Sequence, residues 1–183
     1  MNFEKANSIN FDEKYLVKTP YPEIEVTNLP QDILMKIKRA YAGYKSELTS
    51  TVQYSYQHFI LGTVPALNNV SKALEDIGIK EMIHYEMLAK ILVRCGIDPK
   101  NCVYIDGNPN ICDFWKASNV NYEKDIIKFM ENNILIEKRA IEEYMKIVEE
   151  TTSENLKAII LRIIEDEKSH IMYFKAVLEA LKN

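Results

Sequence analysis

Residues that break helices are scarce in this chain. Five glycines and six prolines in 183 residues gather at a few points, so long helices are expected between them. Cysteine is scarcer still. Cys95, Cys102 and Cys112 are an odd number without C-x-x-C spacing, which excludes a disulfide scaffold and a tetrathiolate metal site. There is no excess of basic charge: the net charge is −4, so binding to nucleic acid or to an anionic membrane is not expected. No stretch approaches the roughly 18 consecutive apolar residues of a membrane span. The opening MNFEKANSIN lacks the apolar core of a signal peptide, and a cytoplasmic location is expected.

What remains is a chain of ordinary globular composition, 47% hydrophobic and 27% charged, of a length suited to one domain. Residues 1–30 contain TPYPEIEVTNLP, whose three prolines favour an extended N-terminal arm, and residues 31–183 form the domain proper. Four long helices are expected within it. The first starts between Pro30 and Asp32 and runs to Gly62. The second covers about 68–95 and stops before Gly96 and Pro99. The third covers about 121–150, and the fourth opens on a Ser153 cap and ends near 182.

Short links join the first helix to the second and the third to the fourth, which makes two antiparallel hairpins. Residues 96–119 look irregular and are long for a connection. A helix of about 28 residues is about 42 Å long, so a crossover running the length of a bundle explains that segment. The expected fold is an all-α antiparallel four-helix bundle of two hairpins with one long crossover between helices two and three.

Each helix carries one apolar stripe, and each stripe is interrupted near its middle. Helix two holds Glu81-x-x-His84 and helix four Glu167-x-x-His170, spacings that set both side chains on one face about 4.5 Å apart. Helices one and three hold Glu47 and Glu137, followed seven residues later by Tyr54 and Tyr144. The pattern repeats: Glu47 to Glu137 and Tyr54 to Tyr144 span 90 positions, while Glu81 to Glu167 and His84 to His170 span 86. With 19 glutamates in 183 residues, a given histidine follows a glutamate by three about one time in ten, yet two of the three histidines do so here.

Four carboxylates and two imidazoles in one layer of a core demand compensation. Two divalent cations supply it, since +4 balances −4 and makes burial tolerable. Oxygen donors mixed with imidazole suit iron, manganese or zinc, and a site without thiolates is not an iron–sulfur site. Tyr54 and Tyr144 are expected to donate hydrogen bonds to ligand carboxylates, with ordinary core packing as the alternative. His58 is expected to be packed or on the surface rather than a ligand. Glu165 and Asp166 are expected to face water.

Glu47-x6-Tyr54, Glu81-x-x-His84, Glu137-x6-Tyr144 and Glu167-x-x-His170 together resemble the ferritin-like superfamily, in particular its rubrerythrin, bacterioferritin and manganese-catalase relatives. The resemblance covers about residues 31–182, and IGIKEMIHYEML is most similar to helix two of rubrerythrin-like and manganese-catalase-like proteins. It implies two iron or two manganese ions, bridged by Glu81 and Glu167. Glu47 and His84 would complete one metal, and Glu137 and His170 the other. It also implies an oxidoreductase of peroxidase or catalase type acting on peroxide or oxygen, with a separate electron donor where one is needed. A homodimer is expected, with the arm reaching across a neighbouring subunit. Three departures bear on this reading. There are no rubredoxin-type C-x-x-C pairs, Ala140 stands where rubrerythrins tend to have an extra carboxylate, and the chain ends at Asn183 directly after the fourth helix. Non-enzymatic iron binding or storage, or a structural bundle that keeps its metal site, are the alternatives.

Overall fold

The computed structural model describes residues 1–183. Two helical hairpins form the bundle: α4 (Glu47–Leu61) packs along α5 (Asn68–Arg94), and α6 (Ile126–Glu150) packs along α7 (Glu154–Lys182). They are preceded by α1 (Phe3–Asn7), α2 (Phe11–Lys14) and α3 (Gln31–Ala42). The fold is the expected all-α antiparallel four-helix bundle of two hairpins with one long crossover.

Apolar residues form two separate cores. One contains Tyr54, Leu74, Ile77, Phe129, Phe174 and Val177. The other contains Ile37, Leu88, Ile91, Tyr144, Ile160 and Ile163. Helices α5, α6 and α7 each pass from one core to the other, and on each the glutamates singled out above lie between the two. A buried polar layer is thus held between two dry clusters.

The expected continuous helix from Pro30–Asp32 to Gly62 is two helices, broken at residues 43–46. Gly43 turns to an extended ψ of −174°, and a Cβ there would stand 2.6 Å from the Arg39 carbonyl oxygen. Ser46 restarts the chain as an N-cap, its Oγ accepting from the Thr49 amide. Thr49 Oγ1 donates to the Tyr44 carbonyl at 3.1 Å and accepts from Trp115 Nε1 at 2.9 Å, which fixes the break. Tyr44, inside the break, is 64% exposed as a result. His58 is half-buried, with its Nδ1 2.9 Å from the Ser71 carbonyl oxygen.

The crossover is not irregular. It holds an antiparallel hairpin, β1 (Cys102–Ile105) and β2 (Asn108–Phe114), in register Cys102 to Phe114 and Tyr104 to Cys112. Asp106 and Gly107 make the two-residue turn with φ of 51° and 72°, the left-handed pair that such turns require. Replacing Gly107 with Ala is expected to lower stability by about 1 kcal/mol, read as a shift in the denaturant midpoint. Buried Lys38 ties this hairpin to α3, its Nζ donating to the carbonyls of Asp98 at 2.7 Å and Lys100 at 2.8 Å. The third helix starts later than expected, at Ile126, because Asp125 caps it by accepting from the Ile127 amide at 2.9 Å.

The N-terminal arm is only partly extended, and it lies on its own bundle rather than reaching outward. Ala6, Phe11 and Tyr15 join the first core and Val26 the second. Polar groups of α7 fasten it: Ser169 Oγ donates to the Tyr15 carbonyl, Arg162 Nε to the Thr19 carbonyl at 2.7 Å, and Asn155 Nδ2 to the Glu23 carbonyl at 2.9 Å. Extended backbone leaves carbonyls unpaired, and a polar stripe on a helix is a natural partner for them. No helix is long and apolar enough to cross a membrane.

Candidate metal centre

Four helices bring six side chains to one point. Glu47, the first residue of α4, stands with Glu81, His84 and Glu167, each offering one atom within 4.8 Å of the others. A second quartet of the same tightness is Glu81, Glu137, Glu167 and His170. Glu81 and Glu167 are common to both, so the two quartets share an edge. His84 Nδ1 lies 3.1 Å from Glu167 Oε1 and 3.7 Å from Glu47 Oε2. His170 Nδ1 lies 3.0 Å from Glu81 Oε1, 3.3 Å from Glu167 Oε2 and 3.7 Å from Glu137 Oε1. All six residues are at most 3% exposed.

These atoms attract one another but are not aligned as hydrogen bonds. Eleven buried side-chain polar atoms lack a hydrogen-bond partner, and seven belong to this cluster: Glu47 Oε2, Glu81 Oε1, His84 Nδ1, Glu137 Oε2, both oxygens of Glu167 and His170 Nδ1. Orphaned polar groups in a core cost about 1–3 kcal/mol each, and more if charged. Seven such atoms facing one another fit two bound cations, whose bonds would satisfy them all.

The two tyrosines cross between hairpins. Tyr54 OH donates to Glu137 Oε1, and Tyr144 OH donates to Glu47 Oε1. Each thereby occupies one carboxylate oxygen and leaves the other, Oε2, buried and unpartnered. The pairing also links α4 to α6, which belong to different hairpins.

Charge in the layer is divided unevenly. Burial pushes Glu81 far above its ordinary value, reinforced by Glu167, Glu137 and Glu47. Glu137 is raised by burial and by Glu167. Glu167 goes the other way: burial opposes its ionisation, but His170 and His84 outweigh it and hold its carboxyl low. Burial would lower His84, yet Asp166, Glu167 and Glu47 carry it well above its ordinary value. Without cations the layer therefore holds protons on Glu81 and Glu137 and keeps Glu167 ionised.

Asp166 corrects the expectation that it faces water. It is 2% exposed, and its Oδ2 accepts from Tyr21 OH at 2.5 Å and from His84 Nε2 at 3.0 Å and forms an ion pair with Arg162 Nη1 at 2.8 Å. An acceptor on Nε2 fixes the ring and leaves the Nδ1 lone pair for the centre. Glu165, by contrast, is exposed. Sequence reasoning missed Asp166, Arg162 and Tyr21. The Arg162-to-Asp166 spacing of four was a signal, but such pairs usually sit in solvent, and only the arm buries this one. The internal repeat fails here, for the position 86 residues before Asp166 is Lys80, and His170 Nε2 makes no hydrogen bond. Asp166→Asn is expected to weaken metal affinity about 10–100-fold, measured by competition with a chelator.

A model of the rubrerythrin family matches residues 41–178, which include all six clustered residues. The chain belongs to the rubrerythrin family. In three dimensions this rubrerythrin-family protein is similar to KatB, a manganese catalase from Anabaena PCC7120, with 21% identity and a TM-score of 0.72 over 92% of this chain and 82% of that one. A second crystal structure, of wild-type KatB from Anabaena, gives the same identity and TM-score over 91% and 81%. A search of curated protein sequences finds no match. The family match begins inside α3 and omits the arm, so the Tyr21 contact to Asp166 lies outside the shared region.

Proposed function

We propose that this protein is a dinuclear iron or manganese oxidoreductase that consumes peroxide or oxygen, working in the cytoplasm. The observation that carries it is the set of seven orphaned, convergent atoms on six buried residues. Membership of the rubrerythrin family and the fold shared with a manganese catalase support it. Glu47 and His84 would hold one ion, Glu137 and His170 the other, and Glu81 and Glu167 would span both. Bound ions would polarise the O–O bond and exchange electrons with it.

The chain's own residues do the rest. Tyr54 and Tyr144 orient the terminal carboxylates, and Asp166 with Tyr21 and Arg162 holds His84 in the tautomer that frees Nδ1. The two cores exclude water on both sides of the layer. Three free cysteines suit a reducing compartment, and burial with the neighbouring Cys112 pushes the Cys102 thiol up to about 11, which leaves it inert there.

Elemental analysis with an optical spectrum tests the reading and decides between iron and manganese, which suit this donor set equally. A protein without either metal that takes up none on reconstitution refutes it. Oxygen release from peroxide without reductant identifies catalase activity, and dependence on reductant identifies peroxidase activity.

A further inference from the structure

Helices α4 and α6 stand apart where they flank the polar layer, and the gap between them is closed on one side only. Toward Tyr54 it is filled by buried amides. Gln53 and Gln57 each donate from Nε2 to Asn133 Oδ1 at 3.0 Å, and Asn133 Nδ2 donates back to Gln57 Oε1 at 2.7 Å. Toward Glu47 only the Tyr144 side chain spans it. The break at residues 43–46 leaves a cleft of about 630 Å³ between α3, α6 and the hairpin, and the cleft reaches Glu47, Glu81 and Tyr144.

That volume is far too large for peroxide or oxygen alone. A water molecule's share of liquid is about 30 Å³, so a two-oxygen molecule would fill only about a tenth of the cleft. Sites for organic molecules are of order 300–1,000 Å³. Ala40, Val103, Ile136 and Ala140 give it apolar walls, and the small side chain at 140 keeps it open.

The mouth is cationic. Arg39, Lys45 and Arg139 line it, are exposed, and have no carboxylate within ion-pair distance. Lys36 is neutralised by Glu150, Asp113 by Lys116 and Glu143 by Lys146, which leaves Glu142 as the one unpaired anion of the mouth. Three free cations against one anion above apolar walls match a molecule with a carboxylate head and an apolar body.

We propose that this cleft binds organic monocarboxylates of that kind, head at the mouth and body inward, and that hydroperoxides of the same class are substrates of the centre. The substrate half rests on the peroxide reading above. In the net reaction the O–O bond of R–O–OH breaks and a dithiol supplies two electrons and two protons. The products are R–OH, water and a disulfide.

Calorimetric titration of the metal-loaded protein with hexanoate and, separately, with 1-hexanol tests the binding half. One hexanoate per chain, held at least about tenfold tighter than hexanol, is expected. The surface double variant Arg39→Glu/Arg139→Glu should lose about tenfold or more in hexanoate affinity, and Ala140→Trp should do the same by filling the cleft. Absent hexanoate binding, equal binding of hexanol, or unchanged affinity in both variants overturns the cleft. With dithiothreitol as donor, a hydroperoxide of hexanoic acid should show a higher kcat/KM than neutral tert-butyl hydroperoxide. Equal values overturn the substrate half. The titration repeated on metal-free protein separates the two readings. Hexanoate binding in a protein that takes up no metal refutes the peroxide reading alone, whereas a metal-replete protein blind to hexanoate refutes the cleft alone.

Discussion

Loading the metal-free protein with manganese(II) or iron(II) is expected to raise its melting temperature by about 10 °C at pH 8, and by less at pH 5.5. A ligand at a thousandfold excess over its dissociation constant stabilises by about 4 kcal/mol, and each kcal/mol moves the midpoint of a domain of this size by about 2–4 °C. The pH dependence follows from the carboxyls. Without metal, burial and like charges raise Glu81 and Glu137 above their ordinary 4.5. A carboxyl raised on folding contributes its stability fully below about pH 4.5 and loses it as pH climbs through the folded value. His84, raised above 6.5, likewise contributes below that pH and loses its contribution as pH rises. Glu167, held low, contributes above 4.5 and loses its contribution only as pH falls. From pH 5.5 to 8 the metal-free layer therefore weakens. Cations bind the deprotonated groups, so their affinity strengthens over the same range and the gap widens. Scanning calorimetry at both pH values with and without metal measures it. An unchanged midpoint, or a gain that shrinks as pH rises, would contradict the assignment of this layer to metal.

Removing Glu167 should abolish metal binding, whereas removing Glu137 should cost only one ion. Glu167 is fully buried, belongs to both quartets and turns one orphaned oxygen to each histidine. Glu137 belongs to one quartet. Plasma mass spectrometry on the purified variants should find near zero metal per chain in Glu167→Ala and about one in Glu137→Ala, against about two in the wild type. Circular dichroism controls for folding, and Glu167→Gln, which keeps the volume, repeats the test if the alanine variant is unstable. Two ions retained in Glu167→Gln would mean that this carboxylate is not shared between them.

The six clustered positions were legible because they rest on local geometry. Three residues on a helix are nearly one turn, and the spacings of 90 and 86 repeat that geometry across the two hairpins. Helix ends with chemical markers were legible for the same reason: Ser153 caps α7 by accepting from the Leu156 amide at 3.2 Å. Asp106–Gly107 was a local signal too, but the strands beside it are short and mostly exposed, so no alternation of apolar residues marked them.

By itself the sequence determined three long helices, the helical character of the segment before them, the polar interruptions and the donor types that meet there, because helical periodicity depends only on neighbours along the chain. Tertiary structure alone decided the rest. It broke the first helix at Gly43, where Trp115 from the crossover holds Thr49 and a cleft opens beside Glu47. It crossed the tyrosines between hairpins, from Tyr54 to Glu137 and from Tyr144 to Glu47. It also turned Asp166 from a solvated charge into the anchor of His84, because Tyr21, 145 positions away, closes over it. The face of a helix that meets water is set by whatever segment packs against it, and no spacing within the helix records that.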